Sequence, residues 1–163
     1  AIEAAGRAGM RFLGIGALLG LYDWRFETES LISHAKKLIK KIWQASVTIS
    51  IPRIRDSESH FKMPAPVSDK ELVEMICTLR LALPDCGIVL STREKASLRD
   101  KLIPLGITQM SAGSVTSPGG YTNEVKSGDQ FHIEDARSPQ QIAEVLKKIG
   151  YDPVWKDWDP NFR

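Results

Sequence analysis

The stretch Ala45–Ile54, ASVTISIPRI, alternates apolar and polar side chains. Val47, Ile49 and Ile51 fall on one face and Thr48 and Ser50 on the other. Pro52 ends regular pairing, so this is a strand covered on one side. Outward from it the period changes. Upstream, Phe26–Trp43 carries Leu31, Leu38, Ile39 and Ile42 at helical spacing, with Asp23 placed to cap the helix. Downstream, Ser68 and Glu71 in SDKE make a capping box. Leu72, Ile76, Leu79 and Leu83 continue that helix, and Pro84 stops it. GIVLSTRE (87–94) is the next strand, Lys95–Leu105 a short helix closed by Gly106, and Ile107–Ser111 a further strand. Ser138-Pro139 opens a last helix, Gln140–Ile149, closed by Gly150. The apolar, Gly-rich run Arg11–Leu21 is the first strand. The order β-α-β-α-β-α-β means βαβ units and a parallel sheet, either doubly wound or part of a (β/α)-barrel.

The whole chain has 163 residues, with 42% hydrophobic and 26% charged, which is one ordinary folded domain. A net charge of +2 gives no support to a nucleic-acid partner. No apolar run reaches the ~18 residues of a membrane span, so no membrane partner is read. Glu3, Arg7 and Arg11 interrupt anything resembling a signal peptide. Two cysteines, Cys77 and Cys86, exclude a disulfide framework, and their low number suits a cytoplasmic protein. Two thiols nine apart cannot build a four-cysteine zinc or iron–sulfur site. Ala1–Met10 reads as the middle or end of a helix without an N-cap, with Gly9 as its stop, so the sequence reads as a portion of a longer chain.

The strand phases point to chemistry. Thr48 and Ser50 share the polar face of one strand; Val89, Ser91 and Arg93 share that of the next; Gln109, Ser111 and Gly113 that of the last. One side of the sheet is therefore small and polar, with an arginine at its carboxyl end, where parallel α/β folds bind ligands. A guanidinium at a strand end can hold a carboxylate bidentately, and Ser91 two residues back adds a hydroxyl. Ser91-x-Arg93 reads as a carboxylate clamp; the competing reading is an ion pair of Arg93 with Glu94 or a helix. Arg53 and Arg55 follow their strand in the same position and suit phosphate, ribose, carboxylate or a structural ion pair. Gly14-Ile-Gly16-Ala-Leu-Leu-Gly20 is one residue longer than a dinucleotide fingerprint and is not followed directly by a helix start. Its glycines instead let a ligand approach the backbone. Ser111-Ala-Gly-Ser114 with Gly119-Gly120 has the composition of a barrel phosphate loop.

Other features have plain readings. His34, His60 and His132 lack ligand spacing and read as structural or solvent-facing. Lys36, Lys37, Lys40 and Lys41 read as a solvated helix face near a C-terminus. Cys77 reads as a small core residue, and Asp157 and Asp159 as exposed acids on a packed tail.

Seven segments then occur in order: GIGALLGLYDWR (14–25), SIPRIR (50–55), LSTRE (90–94), PLGITQMSAGS (104–114), PGGY (118–121), QFHIEDARS (130–138) and GYDPVWKDWD (150–159). Together they closely resemble the radical S-adenosylmethionine tyrosine lyases of thiamine biosynthesis, the 2-iminoacetate synthase family. The resemblance runs from about Ala1 to Asp159. It implies an α/β fold, half of a (β/α)8 TIM-type barrel with strands five to eight. Residues 1–10 would be the end of the preceding barrel helix, 11–137 the half-barrel, and 138–163 a C-terminal helix and tail. It implies cleavage of the tyrosine Cα–Cβ bond to 2-iminoacetate (dehydroglycine) and p-cresol, with thiazole synthase as partner. It also implies a 4Fe–4S cluster on CxxxCxxC and S-adenosylmethionine as cofactors. That motif is absent here; in the family it lies in the N-terminal half, so this chain alone is expected to be inactive.

By the same resemblance, Gly14 and Gly16 lie near the adenosine and Arg53, with Arg55 beside it, faces the cofactor. Ser91 and Arg93 clamp the amino-acid carboxylate, and Ser111 walls the substrate. A hydrogenase-maturation tyrosine lyase shares GLYD, STRE and SAGS but continues into a second cysteine motif, whereas no cysteine follows Cys86. The other alternative is a non-catalytic half-barrel that binds a small anion or a partner protein. Half a barrel has two open strand edges, and a homodimer of half-barrels is its simplest repair.

Overall fold

A computed structural model describes residues 1–54, 61–116 and 133–155. Arg55, His60, Gly119, Gly120, Tyr121, His132, Asp157, Trp158 and Asp159 therefore lie outside the described residues. The elements run α1 (Ile2–Arg7), β1 (Phe12–Gly16), α2 (Trp24–Lys41), β2 (Ser46–Ser50), α3 (Asp69–Ala82), β3 (Gly87–Leu90), α4 (Ala96–Leu102), β4 (Gln109–Met110) and α5 (Pro139–Lys148). The four strands form one parallel sheet in the order β1-β2-β3-β4. Consecutive parallel strands joined by right-handed crossovers carry their helices on a single face. The burial pattern agrees: Leu13, Val47, Ile49, Ile88 and Leu90 are buried, while Gly14, Gly16 and Gln109 on the opposite face are exposed and Thr48, Ser50 and Val89 are half-buried.

Local chemistry sets the helix ends. The Asp23 carboxylate accepts from the amides of Arg25 and Phe26 at 3.0 Å each, opening α2 two residues before the apolar period alone suggests. Ser68 and Glu71 form the expected capping box of α3, and Ser138 and Gln141 form another at α5. Glu71 also accepts from Trp24 Nε1 at 3.1 Å, tying the starts of α2 and α3 together. The buried stripe of α2 is Trp24, Thr28, Leu31, Ala35 and Leu38. Ile39 is instead exposed: it lies one residue, about 100°, off that stripe, and small Ala35 takes the core position. The four lysines of α2 are exposed, as a solvated face requires. Cys77 is half-buried, not a core residue; Cys86 is the buried thiol, and burial pushes its pKa up.

The amino ends of β3 and β4 are fastened by one side chain. Arg80, near the end of α3, donates to the carbonyls of Pro84 at 2.8 Å, Cys86 at 2.9 Å and Gly106. Gly106 closes the helical segment in the left-handed region at φ 100°, and a methyl there would crowd Arg80 Nε at 2.7 Å.

Candidate functional site at the carboxyl ends of the strands

The sequence pattern carries β3 to Glu94, but the strand stops at Leu90. The chain turns there because the Ser91 hydroxyl accepts from the Arg93 amide at 3.4 Å, a local side-chain bond that competes with the ladder. Ser91 and Arg93 thus stand on a turn after the strand, and their nearness comes from that turn and not from strand alternation. Both are half-buried, and burial lowers the Arg93 pKa from its ordinary value. Ser111 follows β4, and its amide donates to Leu90 O at 3.0 Å, so the Ser91–Arg93 turn and the Ser111 turn leave the sheet side by side.

Arg53 follows β2 and is buried at 6% exposure. Its Nε donates to Glu94 at 3.0 Å and its Nη2 to the same carboxylate, while Nη1 reaches the Val67 carbonyl at 2.9 Å. Nη2 also meets Asp69 at 2.7 Å. Burial opposes the charge, but Glu94 and Asp69 outweigh it and raise the Arg53 pKa. The guanidinium is therefore held in an ion pair that fastens the exits of β2 and β3.

The two glycines of β1 differ. A methyl on Gly16 would run into the Ser50 carbonyl, so the sheet itself requires glycine there. Among the described residues a methyl on Gly14 would meet only Thr48 Oγ1, at 3.5 Å, on the exposed face. Packing among these residues therefore does not call for glycine at Gly14.

A second charged cluster was not read from the sequence. Arg99, fully buried on α4, donates to the Asp135 carboxylate and to the Ser111 carbonyl. Arg137 grips the other side of Asp135, with Nε to Oδ1 at 2.9 Å and Nη2 to Oδ2 at 2.7 Å, and it also holds Asp100. Burial opposes ionisation of Asp135, but its bonds from Arg137 and Arg99 prevail and hold the carboxyl at about 2. One signal was available: Arg99 shares a helical face with Leu102 and Ile103, both buried, and an arginine on an apolar stripe needs a buried acid.

These residues do not fit an iron–sulfur cluster. The chain has two cysteines, and among the described residues no group of three or more His, Cys, Asp and Glu could hold a metal. No described helix is long and apolar enough to cross a membrane. A cavity of about 560 Å³ lies beside β4, between Met110, Ile142, Leu146 and Trp155, and neither Ser91 nor Arg93 lines it.

A singly wound parallel sheet with an open polar face and a Ser-x-Arg turn at its carboxyl end defines the class. Residues 50–152 match the Biotin and Thiamin Synthesis associated domain, and the chain belongs to that family. It is 41% identical over 96% of its length to 2-iminoacetate synthase of Salmonella typhimurium, and 40% identical over the same share to that of Escherichia coli. It spans 42% of each of these relatives. It matches a crystal structure of HydG, a maturase of the FeFe-hydrogenase, with a TM-score of 0.87 and 41% identity, covering 96% of this chain and 34% of that one. HydG from Carboxydothermus hydrogenoformans gives 0.83 and 40%, with 96% and 36% covered.

Proposed function

We propose that this chain is the C-terminal portion of a cytoplasmic radical S-adenosylmethionine tyrosine lyase. The full-length enzyme cleaves the Cα–Cβ bond of tyrosine to 2-iminoacetate and p-cresol, and thiazole synthase takes up the 2-iminoacetate in thiamine biosynthesis. The observation that carries this reading is the Ser91–Arg93 turn beside Ser111, in a chain 41% identical to 2-iminoacetate synthase over 96% of its length. The consecutive strand order, with helices on one face, supports half of a (β/α)8 barrel whose open face is the interior.

In this reading Arg93 receives the tyrosine carboxylate, because a guanidinium matches it bidentately. Ser91 and Ser111 wall the substrate. Gly14 leaves room for the S-adenosylmethionine adenosine against the β1 backbone. Arg53 acts from behind, holding the β2 and β3 exits together through Glu94. Cluster binding belongs to sequence outside this chain, so the chain by itself is inactive.

The likeness to HydG keeps a second reading in view, a hydrogenase-maturation tyrosine lyase. Expression of the full-length gene in a thiamine auxotroph lacking its own tyrosine lyase separates the two. Restored growth, with p-cresol released from tyrosine, is the expected result. Failure to restore growth by an expressed enzyme that still releases p-cresol would overturn the thiamine assignment. Absence of p-cresol from an anaerobically reconstituted enzyme would overturn the lyase.

A further inference from the structure

The clamp turn Ser91–Thr92–Arg93 leaves the sheet after Leu90 and so lies beyond the β-ladder. Its middle carbonyl, on buried Thr92, accepts two amides from a segment distant in sequence: Glu134 at 3.1 Å and Asp135 at 3.2 Å. The Asp135 side chain, 1% exposed, is gripped by Arg99 and Arg137. Arg99 reaches on to the Ser111 carbonyl, and the Arg137 carbonyl accepts from the Gly113 amide at 3.1 Å. Asp135 therefore joins the turn bearing Ser91 and Arg93 to the turn bearing Ser111.

Stability alone does not call for such a cluster, since apolar side chains of similar volume commonly replace buried ion pairs without loss. What apolar packing cannot supply is the side-chain bond from Arg99 to the Ser111 carbonyl and a fixed direction for Asp135, whose amide meets the Thr92 carbonyl. We infer that Asp135 is a positioning residue, which through Thr92 sets the height of the Arg93 turn and through Arg99 the distance of Ser111 from it. This inference rests on the tyrosine-lyase reading and extends it to a residue that need not touch the substrate.

The test is a double-mutant cycle in the full-length enzyme, with tyrosine KM and kcat read separately and p-cresol as product. Arg93→Lys removes the fork. Asp135→Asn weakens the grip of Arg99 and Arg137; Arg99→Lys, which keeps the charge, serves should Asp135→Asn not fold. Each of the positioning variants is expected to raise the tyrosine KM about tenfold or more, with kcat changed less than about threefold. Added to Arg93→Lys, each raises KM by clearly less than it does alone, because the share of its effect that runs through the Arg93 turn is already lost. Effects that multiply independently, or a fall in kcat with KM unmoved, would reduce Asp135 to a structural brace and overturn the inference. A wild-type enzyme that releases no p-cresol would instead overturn the tyrosine reading, and the inference with it.

Discussion

Arg53 and Glu94 face each other across the carboxyl ends of β2 and β3, at 6% and 2% exposure, and the guanidinium donates to both carboxylate oxygens. Two buried opposite charges in this geometry tie one strand exit to the next.

Removing one partner from such a pair costs more than removing both. Arg53→Met removes its two bonds to buried Glu94 together with those to Asp69 and the Val67 carbonyl, and is expected to destabilise the fold by about 3–5 kcal/mol. Arg53→Met combined with Glu94→Leu is expected to recover part of that loss. Urea unfolding of the two variants checks this, and equal losses would deny the pairing.

Acid should loosen the opposite side of the site. The folded state holds the Asp135 carboxyl at about 2, below its ordinary 3.8, so the unfolded chain binds that proton more readily. The stabilisation is present above about pH 4 and is lost as pH falls toward 2. It amounts to about 2 kcal/mol. Asp135→Asn should flatten this part of the stability-versus-pH curve, measured by denaturant unfolding between pH 2 and 5.

The two β1 glycines should separate by substitution. Gly16→Ala forces a methyl against the Ser50 carbonyl and is expected to cost ~1–3 kcal/mol in stability. Among the described residues Gly14→Ala meets only the Thr48 hydroxyl, and it should leave the melting temperature within a few degrees. In the full-length enzyme, Gly14→Ala should still raise the concentration of S-adenosylmethionine required. An unchanged requirement would return Gly14 to a neutral surface position.

Among the described residues no strand pairs with the outer edge of β1 or of β4. Open edges favour association with a second copy. Sedimentation at several concentrations should show a species of twice 18.1 kDa. A monomer at every concentration would mean that the chain covers its own edges.

Reconstitution of the isolated chain with iron and sulfide should leave no stoichiometric cluster, because Cys86 is buried and Cys77 stands on a different element. A cluster signal by electron paramagnetic resonance, with cleavage of S-adenosylmethionine, would contradict this.

The sheet and its crossover helices were legible because local signals repeat there. The alternation of Val47, Ile49 and Ile51, the Ser68–Glu71 capping box and the Gly106 stop each act within a few residues. Boundaries were less legible. Nothing in GIVLSTRE shows that the Ser91 hydroxyl will take the Arg93 amide and end the strand at Leu90. The partners of charged residues were least legible of all. Arg53 is 41 residues from Glu94, and Arg99 is 36 from Asp135, so the folded topology alone brings them together. Local pattern singled out Ser91 and Arg93 but not Asp135, whose amide meets the Thr92 carbonyl between them.

Arg80 binds carbonyls at one end of the sheet, while Arg93 and Ser111 stand at the other. The anchoring of the strand entries by Arg80 is thus spatially separate from what would meet a ligand. Over evolutionary time the half-buried positions Ser91, Arg93 and Ser111 can exchange residues and acquire new specificities while the anchoring at the far end stays as it is. This separation lets one scaffold diverge among substrates without first becoming unstable.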